Sequence, residues 1–428
     1  MLKIYKLFCY VNYPLLWLIL RIRSFRGKEH KQRYVEKLGY GFKKRPVGEV
    51  IWVHALGLGE TLSLVFFLNK LSQSFKDKTI LFTTSTLNSY IAFDKLDVNK
   101  NIIHQFAPFD NYTAIRRFLS FWRPSIVLIS ELDLWPLRTI EVKKLGIPTL
   151  LFNSRMNEKK KNDRKIIYNT FKTTLQTFDY IFLQDEGSKK HFKYFGVPED
   201  KLKICGPFKS AGTDLYIDKS IKVRMKKFFV KKLIWIAASL HSDEEKEILD
   251  AFKMAQEHLP NLTLIMVPRS PEFSHLTEKK CAKYSKNVFI RKGLKDFPET
   301  DKEILIISTI GELGTWYDLA CIAFIGNSLD FKSIKTGKNP FEAVQSGCFV
   351  IHGPKMLEPG FSILKELGVA EEVSNKSEIS EALVKYASPE VRKSKIIQGK
   401  KLILKNKKLI YQFIDELKLI YKKREPKI

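Results

Sequence analysis

The residues VIWVHALGLGE at positions 50–60 decide the fold class of this chain. Val50–Ala55 is an uncharged run rich in β-branched and aromatic residues, which is typical of a strand buried on both faces. Gly57 and Gly59 follow it, and Thr61–Phe75 then has the apolar spacing of a helix. A strand, a glycine-containing loop and a helix in this order predict one βα unit of an α/β sheet.

The same unit recurs along the chain, on both sides of Gly206–Lys232. That segment is the predicted linker, because it contains Gly206-Pro207, Gly212-Thr213-Asp214 and many lysines. We predict these strands: Val50–Ala55, Thr79–Thr84, Ile102–Ala107, Ser125–Ser130, Thr149–Asn153, Tyr180–Gln184 and Lys203–Cys205, then Leu233–Ala238, Leu262–Val267, Val288–Ile290, Ile304–Ile307, Ile322–Ile325 and Phe349–Ile351. Two doubly wound α/β domains facing a central cleft follow, at residues 31–212 and 213–399, with an amphipathic helix at 400–428.

Residues 1–30 differ from the rest and predict a membrane anchor with a basic flank. Leu7–Leu20 is uncharged and rich in aromatics, and Arg21, Arg23, Arg26 and Lys28 follow it. The run is about 14 residues long, short of the roughly 20 that span a bilayer, so an interfacial anchor competes with a true span. A buried first helix and a signal peptide are the alternatives. The basic flank would hold the body of the protein on the cytoplasmic side.

The composition narrows the function classes. In 428 residues, 74 Lys+Arg against 46 Asp+Glu give a net charge of +28, which attracts an anionic membrane face, phosphorylated small molecules or nucleic acid. No nucleic-acid-binding module is recognisable, so we expect no specific nucleic acid partner. The five cysteines form no CxxC pair, and the eight histidines have no metal-ligand spacing. We therefore predict a reducing compartment and neither a metal nor a cofactor.

Polar residues follow several predicted strands, where the ligand sites of open α/β sheets lie. Glu60 stands in the first turn of a helix, whose dipole would keep it ionised and suited to act as a general base. After the fourth strand come Glu131 and Asp133, which suit sugar hydroxyls, and after the fifth comes Arg155, which suits a phosphate or carboxylate. Helix capping and ordinary surface roles are the competing interpretations for each of these residues.

The second half repeats this arrangement. Ser242 and Glu245 are spaced as a capping box, and Asn339 and Pro340 would be the N-cap and first residue of a helix. The candidate binding residues are Ser239, Pro268, Arg269, Gly311, Glu312, Leu313, Asn339 and Glu342. Loops of this kind present free amides to an anion, although helix capping alone explains any one of them.

Taken in order, these junctions resemble the 3-deoxy-D-manno-octulosonic acid (Kdo) transferase family. The resemblance runs from about Arg33 to Pro354, and its motifs are IWVHALGLGE, FAPFD, SELDLWP, IPTLLFNSRMN, GVPEDKLKICGPFK, WIAASLHSDEE, VPRSPEF, STIGELGTWYDLACIAFIGNSL and KNPFEAVQSGCFVIHGP. It implies a GT-B glycosyltransferase fold and an inverting, metal-independent transfer of Kdo from CMP-Kdo to a lipid A precursor at the bacterial inner membrane. This is a step of lipopolysaccharide biosynthesis.

The resemblance also assigns roles. Glu60 corresponds to the general base, and Gly57, Gly59, Glu131 and Arg155 to acceptor or cleft positions. The donor positions correspond to Ser239, Pro268, Arg269, Gly311, Glu312, Leu313, Asn339 and Glu342, with Glu342 on the ribose. The chain departs from the family pattern at Gly57, Leu137, Leu240, Ser270, Ser308 and Thr336-Gly337-Lys338. These departures leave open a GT-B transferase of another nucleotide sugar, or an inactive protein that binds anionic lipid.

Overall fold

The chain forms two compact units. The computed structural model describes residues 2–94, 96, 98–211, 215–293, 295–334, 336–357 and 360–423. The first unit contains the described residues up to Phe208 and those from Asn406 onward, and the second is Lys209–Lys405. The domain boundary expected between residues 212 and 213 falls on positions 212–214, which lie outside the described residues.

The first unit is built on a sheet of seven parallel strands in the order β3-β2-β1-β4-β5-β6-β7. Its strands are β1 Val50–Ala55, β2 Thr79–Thr84, β3 Ile102–Phe106, β4 Ile126–Ser130, β5 Thr149–Ser154, β6 Tyr180–Leu183 and β7 Leu202–Ile204. Every predicted run coincides with a strand to within one residue at either end. Helices cover both faces of the sheet, which is why its central strands are continuous apolar runs.

The helices of this unit follow the strands. They are α1 Leu2–Val11, α2 Tyr13–Phe25, α3 Leu58–Ser63, α4 Val65–Ser74, α5 Leu87–Phe93, α6 Tyr112–Trp122, α7 Pro136–Lys144, α8 Glu158–Lys165, α9 Tyr168–Leu175 and α10 Lys189–Tyr194. The single helix expected over Thr61–Phe75 is in fact two, since α3 and α4 meet at Leu64. The core contains Trp52 of β1 against Phe118 of α6, with ring centroids 4.6 Å apart.

The second unit repeats the architecture, with seven parallel strands in the order β10-β11-β9-β8-β12-β13-β14. They are β8 Leu233–Leu240, β9 Leu262–Pro268, β10 Val288–Arg291, β11 Ile304–Ile307, β12 Ile322–Ile325, β13 Phe349–His352 and β14 Ala370–Glu372. The edge strand β14 was not predicted, because only its first residue is apolar and buried. The other six agree with the prediction to within two residues.

The helices of the second unit are α11 Lys219–Lys226, α12 Glu245–Gln256, α13 Ser274–Cys281, α14 Leu313–Leu319, α15 Phe341–Ser346, α16 Ser362–Glu366 and α17 Lys376–Lys385, and α18 is Pro389–Lys422. Helix α11 lies inside the segment predicted as a linker. That prediction is wrong for these residues, because Ile221 and Met225 are buried in the core of the second unit. From Asn406 onward, α18 belongs to the first unit, where Phe413 stacks on Phe152 of β5 with centroids 5.5 Å apart.

Helices α1 and α2 pack against the first unit on one face only. Cys9 and Leu20 are buried, and Asn111 donates its side-chain amide to the carbonyl of Cys9 at 2.7 Å. Tyr5, Tyr13 and Leu16 are partly buried. Most of the other apolar side chains whose burial is described are exposed: Ile4, Leu7, Phe8, Tyr10, Val11, Leu15, Trp17, Leu18, Ile19, Ile22 and Phe25. Within the described part of the chain, no helix is both long enough and apolar enough to cross a bilayer.

Candidate active site

Glu60 is held at the carboxyl edge of the first sheet. Strand β1 ends at Ala55, and α3 begins at Leu58, so Glu60 lies in the first turn of that helix. Its Oε2 accepts a hydrogen bond from the backbone N–H of Leu56 at 2.8 Å and another from the Ser130 hydroxyl at 3.0 Å. The two bonds fix the carboxyl group between the ends of β1 and β4.

The charge state of Glu60 differs from the expectation. Burial, the negative charge of Glu131 and, more weakly, that of Asp133 raise the pKa of Glu60 to about 8, against the two hydrogen bonds that favour its ionised form. The helix dipole was expected to favour the ionised form of this carboxyl, whereas its surroundings raise the pKa instead. A six-residue helix presents little dipole, whereas desolvation and a nearby like charge both disfavour a carboxylate.

Glu131 occupies a strained turn immediately after β4. Its φ is +55°, a left-handed conformation that costs a non-glycine residue free energy. Two bonds to β5 hold it there: its N–H donates to the carbonyl of Phe152 at 2.9 Å, and the Ser154 hydroxyl donates to its carbonyl. The turn therefore holds a second carboxylate close enough to Glu60 to act on its pKa.

Asp133 does not have the role suggested for it, which was to bind sugar hydroxyls. It is buried, and its carboxylate bonds His54 Nε2 at 2.5 Å, Arg138 Nη2 at 3.2 Å and the Trp135 indole N–H at 2.7 Å. Burial alone would raise the pKa of Asp133, but the bond to His54 and the charge of Arg138 outweigh it and hold the pKa well below its usual range. Asp133 is therefore a structural anion beneath the Glu131 turn.

Arg155 follows β5 at the same edge. Its Nε pairs with Asp185 Oδ2 at 2.8 Å, while among the described residues nothing bonds its buried Nη1. Lys160 of α8 turns back toward this arginine and donates to its carbonyl at 3.4 Å. The charge of Lys160 interacts with both Glu131 and Glu60. The edge thus combines two carboxylates with two cations, one of which has a free donor for an anion.

Gly57 and Gly59 are not required by the backbone. Gly57 is extended, with φ −127° and ψ 178°, which any residue adopts, and neither glycine has a positive φ. A Cβ added at either position would meet no atom within 4 Å. What these glycines provide is open space beside Glu60 rather than a special turn.

In the second unit, Ser239 and Arg269 lie at the ends of the neighbouring strands β8 and β9. Ser239 has a φ of +58°, and the Arg269 N–H donates to the carbonyl of Leu240 at 2.9 Å. The Arg269 guanidinium donates to Asn327 Oδ1 at 2.9 Å. Asn327 follows β12 and also has a positive φ, of +59°. Three adjacent strand ends therefore converge on one arginine, and Pro268 immediately precedes it.

Glu244 ties these loops together, and sequence analysis missed it. This buried carboxylate accepts backbone N–H bonds from His241 at 2.9 Å, Asn327 at 2.6 Å, Ser328 at 2.8 Å and Leu329 at 3.0 Å. It connects the turn after β8 with the turn after β12. In the sequence it is one of two consecutive glutamates at a helix start, and nothing there distinguishes it from its neighbour.

The capping box predicted from Ser242 to Glu245 is wrong. Helix α12 begins at Glu245, whose carboxylate instead accepts from the Thr277 hydroxyl at 2.6 Å and the Lys280 ammonium at 2.7 Å. Beside this group is a cavity of about 600 Å³. Its lining residues are Leu240, His241, Ser242, Glu245, Pro268, Arg269, Ser270, Phe273, Leu276, Thr277 and Lys280.

The loop from β11 to α14 contains Gly311, Glu312 and Leu313. Gly311 has a φ of +94°, and a Cβ there would point into open space. The Glu312 side chain is buried in a two-bond ion pair with Arg291, at 2.8 and 2.9 Å, and also accepts from the Thr309 hydroxyl. Glu312 can therefore offer a ligand only its backbone, as expected, while the pair with Arg291 holds the loop in shape.

Helix α15 begins one residue later than predicted, so Asn339 lies one residue before the N-cap position expected for it. The helix starts at Phe341 with Pro340 before it, yet Asn339 Oδ1 still accepts from the Phe341 N–H at 3.1 Å. The Asn339 amide also lies 3.4 Å from Glu342 Oε1. Burial raises the pKa of Glu342 to about 7, in spite of that contact. A carboxyl donates a hydrogen bond when it is protonated and accepts hydrogen bonds when it is ionised, so Glu342 is suited to hydroxyl groups in either state.

Comparison with known proteins identifies relatives over most of the chain. Residues 32–211 match the family model described as 3-Deoxy-D-manno-octulosonic-acid transferase (kdotransferase). The chain is 32% identical over 361 residues to the probable mitochondrial 3-deoxy-D-manno-octulosonic acid transferase of Arabidopsis thaliana, covering 82% of this chain and 79% of that protein. It is 28% identical over 416 residues to the 3-deoxy-D-manno-octulosonic acid transferase of Haemophilus influenzae, covering 95% of each.

The fold is also found among solved structures. A glycosyltransferase from Rickettsia africae superposes with a TM-score of 0.55 at 12% identity, covering 90% of this chain and all of that one. At this identity the likeness concerns the fold alone, and it confirms the expected GT-B architecture. The sequence relatives identify the family. This chain belongs to the 3-deoxy-D-manno-octulosonic acid transferases, which are glycosyltransferases that transfer Kdo in lipopolysaccharide biosynthesis.

Proposed function

We propose that this chain moves a Kdo residue from CMP-Kdo to a lipid A precursor with Glu60 as the general base. The observation that carries this assignment is the environment of Glu60. Its carboxyl is fixed by Leu56 and Ser130, and its pKa of about 8 lies close to neutral pH. A base with such a pKa is strong enough to take a hydroxyl proton and is still partly ionised near neutrality.

In this reaction the acceptor hydroxyl oxygen attacks the anomeric carbon of Kdo, and its proton passes to Glu60. A glycosidic bond forms, while the bond from the anomeric carbon to the CMP phosphate oxygen breaks and CMP leaves with the electron pair. Attack opposite to the leaving group inverts the anomeric carbon. The free Nη1 of Arg155 would bind an anionic group of the acceptor on the same sheet edge.

The donor is assigned to the second unit. Arg269, already oriented by Asn327, would face the phosphate of CMP-Kdo, and the backbone N–H groups around Gly311 would donate hydrogen bonds to the phosphate oxygens. Asn339 and the partly protonated Glu342 are suited to ribose hydroxyls. Preorganised donors of this kind stabilise the charge that develops on departing CMP and take the place that a metal ion has in other transferases.

The apolar face of α1 and α2 is proposed to lie in the anionic cytoplasmic face of the membrane, where the lipid acceptor resides. Phe25 is 93% exposed and Leu7 65%, and Arg21, Arg26 and Lys28 flank Phe25 in the sequence. Exposed apolar side chains flanked by cations suit an interfacial anchor. In a flotation assay with anionic vesicles, a Leu7→Glu variant should bind the vesicles more weakly than the unmodified protein. Leu404→Glu, at an equally exposed leucine of α18, should bind them as strongly as the unmodified protein.

The function is tested by incubating the purified protein with CMP-Kdo and a tetra-acylated lipid A precursor and measuring the mass of the lipid. We expect the mass to increase by one or more Kdo residues, and no increase with a UDP-sugar. Glu60→Ala should abolish the increase while leaving the circular dichroism spectrum unchanged. Sugar transfer retained in that variant would rule out Glu60 as the base.

A further inference from the structure

Lys160 lies where a cation is locally unfavourable. Helix α8 begins at Glu158, and the Asn157 side chain accepts the Lys160 N–H at 2.9 Å, so this lysine is fixed in the first turn. The N-terminal end of a helix carries partial positive charge and disfavours a cation there. The Lys160 ammonium also turns back over its own helix start, toward the carbonyl of Arg155 at 3.4 Å.

A continuous set of contacts joins this position to Glu60. Glu60 bonds the hydroxyl of Ser130, the last residue of β4, and Glu131 follows directly. The Ser154 hydroxyl, at the end of β5, donates to the Glu131 carbonyl, and Arg155 comes next. The ends of β4 and β5 thus place Lys160 and the two glutamates on one edge of the sheet.

The charges around Glu60 disfavour its ionised form, and the ammonium of Lys160 has both attracting and repelling charges around it. Glu60 faces the negative charges of Glu131 and Asp133, and both disfavour its ionised form. The charges of Glu131 and Glu60 attract the Lys160 ammonium, and the like charges of Arg164 and Arg155 repel it. Partial burial lowers the pKa of Lys160, while the two carboxylates act in the opposite direction. The ammonium therefore interacts favourably with the glutamates only when they are ionised.

We propose that Lys160 is a positioning residue that favours the ionised state of the Glu60–Glu131 pair and so sets the pH at which the base works. This inference rests on the proposed role of Glu60. The proton of the acceptor still goes to Glu60, and Lys160 itself transfers none. The attraction between the ammonium and the ionised carboxylates makes more of the base available near neutral pH.

The test is the pH dependence of kcat/KM for Kdo transfer, measured from pH 6.5 to 9 with the full-length protein. In Lys160→Gln the base is harder to ionise. We therefore expect kcat/KM to fall about threefold at pH 7 and to match the unmodified protein at pH 9, where Glu60 is ionised in both. Lys160→Arg should restore the original profile. Lys159→Gln, which removes the same charge one position away, should leave it unchanged.

The possible outcomes distinguish a failure of the inference about Lys160 from a failure of the proposed function. An unaltered profile in Lys160→Gln, with Glu60→Ala inactive, would refute the role of Lys160 and leave the base assignment standing. A rise in KM for the lipid acceptor that is equal at every pH would also refute it, because it would mean that Lys160 binds an acceptor phosphate instead. Transfer that persists in Glu60→Ala would overturn the proposed function itself.

Discussion

Replacing Glu131 with glutamine should make the protein more active near neutral pH relative to its activity at high pH. The reason is the pKa of Glu60, which burial and the charge of Glu131 raise to about 8. Glutamine keeps the size of the side chain and removes its charge. The desolvation of Glu60 then remains, but the repulsion does not, so its carboxylate becomes easier to form.

The magnitude follows from the titration of one group. With a pKa of about 8, roughly one-tenth of Glu60 is ionised at pH 7 and nine-tenths at pH 9, so kcat/KM should rise about ninefold between these values. A neighbouring like charge commonly shifts a carboxyl pKa by about one unit. Removing it would make roughly half of Glu60 ionised at pH 7, and the rise from pH 7 to pH 9 would shrink to about twofold.

The assay is the initial rate of Kdo transfer at subsaturating CMP-Kdo, followed by mass spectrometry of the lipid. The ratio of kcat/KM at pH 9 to that at pH 7 is compared within each variant, so a general loss of activity in Glu131→Gln cancels. Ser130→Ala should change the ratio in the opposite direction, because it removes a hydrogen bond that favours ionised Glu60. A ratio near one in the unmodified protein, or the same ratio in both variants, would refute the reasoning.

Two stability predictions and one binding prediction follow from close contacts inside the protein. Arg138→Met should destabilise the first unit by about 3 kcal/mol in urea denaturation, because Asp133 would keep a buried charge without its cation. Glu244→Ala should lower the melting temperature by several degrees, since four backbone N–H groups would lose their acceptor. Gly326→Ala should weaken CMP-Kdo binding in calorimetry at least tenfold, because a Cβ there would lie 2.8 Å from the Ser239 carbonyl oxygen.

Matched controls separate these effects from a general response to mutation. Arg116→Met removes a half-exposed arginine whose ion pair spans 4.0 Å, and it should change the unfolding free energy by less than about 0.5 kcal/mol. Glu257→Gln, on an exposed glutamate, should not change the melting temperature. Gly59→Ala, where a Cβ meets no atom within 4 Å, should leave CMP-Kdo binding in calorimetry unchanged. Equal losses in a control and its partner would contradict the corresponding mechanism.

The strands were predictable because parallel strands buried on both faces are continuous apolar runs. Val50–Ala55 and Ile322–Ile325 each stand out from their charged surroundings, and the observed strands match those bounds. Strand β14 lacks this property, since it lies at the sheet edge and ends in two glutamates. The segment at Lys219–Lys226 was misread for a related reason: its lysines are on the surface, and two buried residues alone make it a helix of the core.

The polar residues at strand ends were identified from order along the chain, because parallel strands bring their carboxyl ends to one edge. Glu60, Glu131 and Arg155 were found in this way. Sequence order does not reveal which carboxylates are occupied by hydrogen bonds and ion pairs within the protein. Asp133 and Glu244 resemble Glu131 and Glu245 in the sequence, and only the bonds around each one distinguish them.

The sequence by itself determined the α/β class, the positions of the strands, the family and the residues that follow each strand, because these depend on local apolar patterns and on residue order. Tertiary structure alone decided the charge of Glu60, the buried roles of Asp133 and Glu244, and the presence of Lys160 beside two glutamates. Those properties depend on distance and desolvation, and residues far apart in the chain set both.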